Sequence, residues 1–512
     1  MVVPSWGELQ VDQLRFMARE HPDALAYRNL DADTSITFTG WDRDSNALAR
    51  GLVALGVGPG ERVSVYLGSS EVLHWIVAYA AIHKAGAVAV PTNVRLSEPE
   101  LAAILDHAEV AAVLTDATLL PGVQAVRDQV PSLHSVVSTG GTAANVIPWE
   151  EVSAEDTADL QVPRDPSDLA DVMYTSGTTG LPKGIAVRHS NLAMVPNLEP
   201  AWTGNGWIHG APMFTFAGIA FIYNPMKMGL VGFYQPRFDA GRWLEYVEQE
   251  RPTWCMLVPA FAELIVAHPD FGRRDLSSLQ QVSIGSAPLA PQTQLALIER
   301  LPDATVGNSY GMTEAGPAYI VMPKEEIKNR IGSVGKPVGP MEIKIVDDDG
   351  EETAPRVVGE LWLRMAGKQR EYYKNDEATA ATWTDDGWLR SGDLAYLDED
   401  SYLYICGRKK DMIIRGGNNI YATDVEAVLL EHPDVQEAAV TGIPHPVLGE
   451  DVAAWVVRHP GSDLDTERLT SFVAERLADY KRPRQLVFVD ELPRNATGKV
   501  LKHELKVPTA SS

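Results

Sequence analysis

Five apolar segments between residues 63 and 115 alternate in period, and this alternation limits the possible fold more than any other feature of the chain. The spacing gives a strand at 63–67, a mostly buried helix at 71–84 ended by Gly86, and a strand at 87–90 closed by Pro91. A helix at 101–107 and a strand at 111–115 follow. Ser97-Glu98-Pro99-Glu100 reads as a capping box, in which the hydroxyl and the carboxylate each satisfy a free N–H of the first helical turn. Strand, helix, strand, helix, strand is the mark of a parallel sheet with helices on its faces. The texture changes near residue 400. Acidic turn residues (Asp398, Glu399, Asp400) precede a short Tyr-rich strand and Gly407-Arg408-Lys409-Lys410-Asp411. Beyond them the elements shorten. A second capping box, Thr423-Asp424-Val425-Glu426, opens a helix running to about Glu431, and strands at 437–443 and 452–458, a helix at 465–478 and a strand at 485–490 complete a small α+β unit. There is no repeat of 20–50 residues, and the tail 508–512 is expected to be disordered.

With 512 residues, the chain has room for about three domain-sized masses, or one large domain and a small one. It carries 44 Lys and Arg against 69 Asp and Glu, a net charge of −25. That argues against a protein that coats nucleic acid or an anionic membrane, since both reward a basic surface. Two cysteines, Cys255 and Cys406, are too few for a disulfide framework or a Cys-based zinc site, and the twelve histidines show no metal spacing. The first residues lack a basic stretch followed by an apolar core, and no apolar run is long enough to span a membrane. A cytoplasmic enzyme is expected.

Chemistry concentrates in a few segments. Tyr174-Thr175-Ser176-Gly177-Thr178-Thr179-Gly180-Leu181-Pro182-Lys183-Gly184 follows an apolar strand. Its glycines let backbone N–H groups turn toward an anion, its hydroxyls add donors and Lys183 adds a charge, so it forms a phosphate cradle. It is not a Walker A loop, because Lys183 is followed by Gly184. Gly307-Asn308-Ser309-Tyr310-Gly311-Met312-Thr313-Glu314 admits two readings. As a G-x-S-x-G elbow it would make Ser309 the nucleophile of a hydrolase. As a nucleotide site, Tyr310 offers a ring face to a purine, Thr313 a hydroxyl to phosphate and Glu314 a carboxylate to Mg²⁺. Only the second reading also uses 174–184. Ser391-Gly392-Asp393 is read as a tight turn whose carboxylate accepts ribose hydroxyls, helped by Arg408. Pro493-Arg494-Asn495-Ala496-Thr497-Gly498-Lys499 presents one lysine on a glycine-bearing loop. Arg408, Lys409, Lys410, Arg415, Lys481, Arg482, Arg484, Lys499 and Lys502 group in the small unit, where they could receive a polyanionic cosubstrate.

YTSGTTGLPKG, SYGMTE, SGD, GRKKDMIIRGGNNIY and PRNATGK stand in one order along the chain, and together they resemble the adenylate-forming superfamily, closest to its AMP-forming fatty-acyl and aryl CoA ligases. The resemblance implies an α/β fold: a large multi-subdomain N-terminal domain (1–407) with parallel and mixed sheets, and a small mobile α+β lid (408–512). It implies ATP, Mg²⁺ and coenzyme A. Thr175, Ser176, Gly177, Thr178, Thr179, Gly180 and Lys183 would hold phosphates, and Gly285, Ser286, Ala287 and Pro288 would flank adenine together with Asn308, Ser309, Tyr310, Gly311 and Met312. Thr313 would contact the α-phosphate, Glu314 would bind Mg²⁺, and Asp393 with Arg408 would hold the ribose. Lys410 would be the hinge and Lys499 the catalytic lysine. Arg415, Gly416, Gly417 and Lys481 are candidates for coenzyme A. The acyl pocket would draw on Trp207, Phe214, Thr215, Phe216, Met312 and Gly316, within a segment that also carries Phe221, Tyr223, Met226, Met228 and Trp254. Their apolar, bulky character points to a medium- or long-chain fatty acid or an alicyclic acid, with aromatic acids open. Three positions depart from the family pattern: Thr215 stands where His is usual, Ser309 where Gly is common, and Ala422 where Pro is frequent. A carrier-protein thiol remains an alternative acceptor, and a homodimer remains open.

Overall fold

The computed structural model describes residues 7–160, 162–175, 183–193, 195–316, 319–365, 369–494 and 500–506. Ser176, Gly177, Thr178, Thr179, Gly180 and Lys499 lie outside the described residues, as do 495–498 and the tail.

The alternation at 63–115 folds as the spacing requires. Strands Arg62–Tyr66, Val88–Pro91 and Val110–Thr115 pair in parallel within a sheet that is eight-stranded among the described residues. Strand Val110–Thr115 is buried at every position, as expected where helices cover both faces of a sheet. Helix Val72–Ala85 is apolar nearly all round and ends at Gly86, whose φ of +76° is the left-handed cap that glycine adopts without a steric cost. The Glu100 carboxylate accepts from the Ser97 N–H (2.9 Å) at the start of helix Glu98–His107, so the first capping box forms. Strand Leu169–Thr175 joins the same sheet beside Val88–Pro91, and Lys183–Arg188 returns antiparallel to it. The short strand Glu371–Tyr372 then closes that edge.

A second sheet, seven-stranded among the described residues, runs Thr305–Ser309, Gln281–Gly285, Trp254–Leu257, Asn205–His209, Leu230–Tyr234 and Leu25–Asn29 in parallel, with Thr34–Thr37 antiparallel at its edge. The two sheets share one core. Val63, Ala89 and Ile185 of the first lie with Tyr27 and Tyr234 of the second around Trp41, Trp75, Ile76 and Tyr79. A third, antiparallel sheet contains Leu389–Leu397 and Leu403–Arg408.

The small C-terminal unit has its own core, built from Ile413, Ile420, Val425, Leu429, Val440, Val452, Leu469 and Val473. Its long hairpin, Val435–His445 and Gly449–Arg458, is joined in parallel by Gln485–Phe488. Here the second capping box does not form. Helix Ala422–Leu430 begins one residue before Thr423, with Tyr421 in the cap position. The Thr423 hydroxyl donates to the Cys406 carbonyl, and the Glu426 carboxylate accepts from the Val440 N–H (2.8 Å) and from Lys502. Both side chains serve tertiary contacts that local spacing does not reveal. Ala422 is the first helical residue, a position where proline is equally acceptable.

Two histidines sit neutral in the core. His209 closes its strand against the Tyr27 hydroxyl (2.6 Å), and His189 packs edge-on to His83; burial pushes each down to about 3. The unfolded chain protonates them near 6.5 while the folded chain does not, so between pH 6.5 and 3 the unfolded state binds more protons. Stability must therefore fall as pH falls through that window, by at most about 1.4 kcal/mol per pH unit for each histidine. Thermal unfolding midpoints measured from pH 7 to 4 should drop more steeply for the wild type than for His209→Gln, which keeps a polar partner for Tyr27 and cannot gain the proton.

Candidate active site

The parallel strands of both large sheets end in the positions that give α/β proteins their ligand sites. Gly285 ends one strand opposite Ser309, the last residue of its parallel neighbour. A Cβ at Gly285 would lie 2.7 Å from the Ser309 carbonyl oxygen, so no larger residue fits there without displacing the strand. Ser286 follows with φ +75°, a left-handed conformation that costs a non-glycine residue about 1–3 kcal/mol and is typical of functional turns. Ala287 and Pro288 continue that turn. Ser309 is not on a nucleophile elbow, which requires a helix directly after the serine. The chain instead folds back on itself, with Met312 and Gly316 bridged antiparallel.

The segments 308–311 and 391–393 and Arg408 meet at one carboxylate. Asp393 is 5 % exposed and lies within strand Leu389–Leu397, where a tight turn was expected; the kink needed to present it comes from Gly392 at φ +68°. The Tyr310 hydroxyl donates to Asp393 Oδ2, and Arg408 Nε to Oδ1 (2.8 Å). Arg408 is directly across the strand pair from Asp393. The Ser391 hydroxyl accepts from the Asp393 N–H (3.0 Å) and donates to the Leu361 carbonyl (2.6 Å). Burial first, then the Asp393 charge, hold the Tyr310 phenol well above its usual range, so it remains a neutral donor. A charged acceptor flanked by an aromatic ring and a guanidinium suits a nucleoside, with the sugar diol at the carboxylate and the base on the ring.

Glu314 and Thr313 stand on the folded-back segment. Tyr372, from the edge strand Glu371–Tyr372, donates its hydroxyl to Glu314 Oε1 (3.3 Å). The Lys183 ammonium lies 5.4 Å from the centre of the same Tyr372 ring, so one tyrosine stands next to both Lys183 and Glu314. Thr175 ends the strand leading into the cradle, and Tyr174 before it bonds His107 Nδ1 (2.7 Å). Beneath Thr313 lies Arg370, whose Nη1 donates to the Thr313 carbonyl (2.8 Å). Tyr372 and Arg370 carry no sequence signal of their own, because the short edge strand that brings them in has no motif spacing. Among the described residues no three His, Cys, Asp or Glu side chains cluster as a ready-made metal cage. A half-buried Glu314 beside a hydroxyl is the donor set expected where a hard cation takes its remaining oxygens from substrate phosphate.

On the acyl side the expected lining divides. Thr215 caps helix Phe216–Lys227, accepting from the Gly218 N–H (3.0 Å) and donating to the Pro212 carbonyl (2.7 Å). Its hydroxyl is thereby committed to the helix start. Trp207 packs at a tilt against Phe221 and Trp254, at 5.1 and 5.0 Å between ring centres, and Phe214 is half-buried. Tyr223 and Met226 belong to the shared core with Trp41 and Tyr79, so they are not lining residues, and Met228 follows the helix end in an exposed position. The basic residues of the small unit are largely ion-paired. Arg415 meets Asp451 (2.7 Å) and Lys481 meets Asp424 (2.9 Å). Gly416 and Gly417, both at positive φ, make the turn between Ile413–Arg415 and Asn418–Ile420. Lys410 lies in the short turn Lys409–Asp411, and Lys409 pairs with Asp348 (2.9 Å) and Glu360 (3.4 Å). Arg494, just before the segment that carries Lys499, pairs with Glu437.

Two family models match the chain: the AMP-binding enzyme over residues 14–373 and the AMP-binding enzyme C-terminal domain over 424–499. A feruloyl-CoA synthase of Amycolatopsis sp is 35% identical over 496 residues, 96% of each chain. The crystal structure of the anthranilate CoA ligase AuaEII with anthranoyl-AMP superposes with a TM-score of 0.86 at 27% identity, covering 98% of this chain and 97% of that one. ATP-bound MatB from Rhodopseudomonas palustris gives a TM-score of 0.84 at 28% identity, covering 96% and 97%. With a parallel-sheet N-terminal part and a small C-terminal domain, each matched by its own family model, and with Tyr310 of the carboxylate cluster inside the first match, the chain belongs to the AMP-binding enzyme family, among its AMP-forming acyl-CoA synthetases.

Proposed function

We propose that this enzyme activates a bulky, apolar carboxylic acid, an aryl acid above all, as its adenylate and then passes the acyl group to coenzyme A. The observation that carries the reading is the meeting of Tyr310, Asp393 and Arg408 on one buried carboxylate, next to the Thr313–Glu314 segment. The aromatic preference is supported by the Phe216 ring, 4.6 Å from the Arg370 guanidinium that bonds the Thr313 carbonyl, and by the feruloyl and anthranoyl groups in the names of similar proteins.

A carboxylate is a poor acyl donor because its leaving group would be oxide. In the first step a carboxylate oxygen attacks the α-phosphorus, the bond to the β-phosphate oxygen breaks and pyrophosphate leaves. Two anions must approach, and the proposed residues offset their repulsion. Lys499 would sit between carboxylate and α-phosphate, Thr313 would donate to the α-phosphate, and 175–183 would hold the β- and γ-phosphates. Mg²⁺ bound with Glu314 would supply further neutralisation of phosphate charge. In the second step the coenzyme A sulfur, having lost its proton to solvent, attacks the acyl carbon, and AMP leaves. Lys499 must then vacate the cleft, which a lid of residues 408–512 turning about Lys410 would achieve. Lys481 and Arg415 would bind coenzyme A phosphates only after exchanging Asp424 and Asp451 for them. That pairing favours the second reading, transfer to a carrier-protein thiol. Among the described residues no helix is long and apolar enough to cross a membrane.

Pyrophosphate release from a panel of aryl, alicyclic and fatty acids, with and without coenzyme A, tests both acid and acceptor. An aryl acid should give the highest kcat/KM, and thioester should appear with free coenzyme A. Thioester with a carrier protein alone would select the second reading. Lys499→Ala should nearly abolish adenylate formation yet keep thioester formation from supplied acyl-adenylate, as read by quenched flow. Lys410→Pro fixes φ at the hinge and should slow the second half-reaction more than the first in the same assay. Asp393→Asn removes the charged acceptor and should raise KM for ATP by about 10- to 100-fold, since a hydrogen bond to a charged group contributes roughly 1.5–3 kcal/mol.

A further inference from the structure

Arg370 is the largest charged side chain in the N-terminal core and is 1 % exposed, so it cannot touch a substrate. Its fork reaches three elements of the proposed site. Nη1 donates to the Thr313 carbonyl (2.8 Å) and Nη2 to the Asn191 carbonyl, while the guanidinium carbon lies 4.6 Å from the centre of the Phe216 ring. Asn191 answers through its own side chain, donating to the Gln369 carbonyl (2.8 Å), and the Trp383 indole fixes the Arg370 carbonyl (2.8 Å). Gly316 closes the folded-back segment against it: a Cβ there would lie 3.2 Å from the guanidinium. Three negative or polar groups face the cation. Asp171 is held by the Tyr79 hydroxyl (2.8 Å) and His83 Nε2 (3.0 Å), and Glu314 stands beyond Thr313. Burial pushes the guanidinium down to about 10, and Asp171, Tyr79 and Glu314 oppose that fall, so it stays charged at neutral pH. Asp171 lies on the strand that ends at Thr175, where the phosphate cradle begins.

We propose that Arg370 is a positioning residue for adenylation: it fixes the Thr313–Glu314 segment relative to the strands of the phosphate cradle and to the acyl-side ring of Phe216. This rests on the functional reading above. Lysine is a poor substitute, because a single ammonium lacks the planar fork that bonds two carbonyls while lying flat on a ring. A displacement of about 1 Å in such a segment can lower a rate by about 100-fold.

Arg370→Lys and Arg370→Met are compared with the wild type in the full chain. Readouts are the thermal midpoint, MgATP affinity without acid, acid-dependent pyrophosphate exchange, thioester formation from supplied acyl-adenylate, and amide hydrogen exchange at 311–316. Arg370→Lys should fold, lower the pyrophosphate-exchange rate about 10- to 100-fold, raise the Mg²⁺ concentration needed for half-maximal exchange, leave the thioester step within about twofold and speed hydrogen exchange at 311–316. Arg370→Met should do the same more severely. An equal fall in both half-reactions, unchanged hydrogen exchange at 311–316, or failure of both variants to fold would each overturn the proposal and leave Arg370 a structural residue. A wild type with no acid-dependent exchange would instead overturn the functional reading, and MgATP affinity and hydrogen exchange would still decide the role of Arg370.

Discussion

Helix Val72–Ala85 has no side that suits water. Twelve of its fourteen residues are buried, Trp75, Ile76, Tyr79 and Ile82 among them. An α-helix apolar all round must be enclosed, and here the strands of two parallel sheets share that task. Each large apolar side chain removed from water contributes roughly 1.5–3 kcal/mol, so the enclosure is a strong constraint on how the sheets meet. The same helix supplies Tyr79 and His83 to Asp171, the buried anion that faces Arg370. Hydrophobic enclosure and buried charge thus join at one helix, and they hold the strand that ends at Thr175.

The central strands of the first sheet, at 63–67, 87–90 and 111–115, were legible in the sequence, because fully buried strands read as unbroken apolar runs, and helix Val72–Ala85 between them ends at Gly86. The glycines expected at special backbone positions were legible for a related reason. Gly392 and Gly285 answer backbone demands that only a few residues meet, and such demands leave a trace in sequence. Where side chains leave their local partners, the trace fails. Thr423 and Glu426 have capping-box spacing, yet one donates to the Cys406 carbonyl and the other accepts from the Val440 N–H, since tertiary partners outcompete the helix end. Tyr223 and Met226 share a helix with Phe221, but they pack into the core that holds Trp41 while Phe221 packs on Trp207. Arg370 and Tyr372 were invisible because their importance is a matter of what a two-residue edge strand lies against, not of what flanks them in the chain.

The charge pattern shows the same limit. A net charge of −25 leaves carboxylates in excess, and among the described residues of the small domain most basic side chains find one. A count of lysines and arginines therefore overstates the cationic surface offered to a polyanion. Arg415 and Asp451 are both mostly buried, so parting them would strand a charge in a poorly solvated place. Lys481 and Asp424 are more exposed, and their pair is the easier of the two to exchange for a phosphate.

This difference bears on how the chain can carry out two steps in one cleft. The turn Lys409–Asp411 separates strand Leu403–Arg408 of the third sheet from strand Ile413–Arg415 of the small domain, and the cores on either side share no residue. What ties the turn to the larger part is Lys409 with Asp348 and Glu360, and Asp348 is almost fully exposed. Exposed ion pairs add little stability and re-form readily elsewhere, so they set a preferred pose without locking it. Arg408, one residue earlier, is different: its partner Asp393 is buried and is shared with Tyr310. If residues 408–512 turn about Lys410 as proposed, the pair of Arg408 with buried Asp393 would stay in place, while the exposed Lys409–Asp348 pair and the Thr423–Cys406 bond are contacts that would have to part.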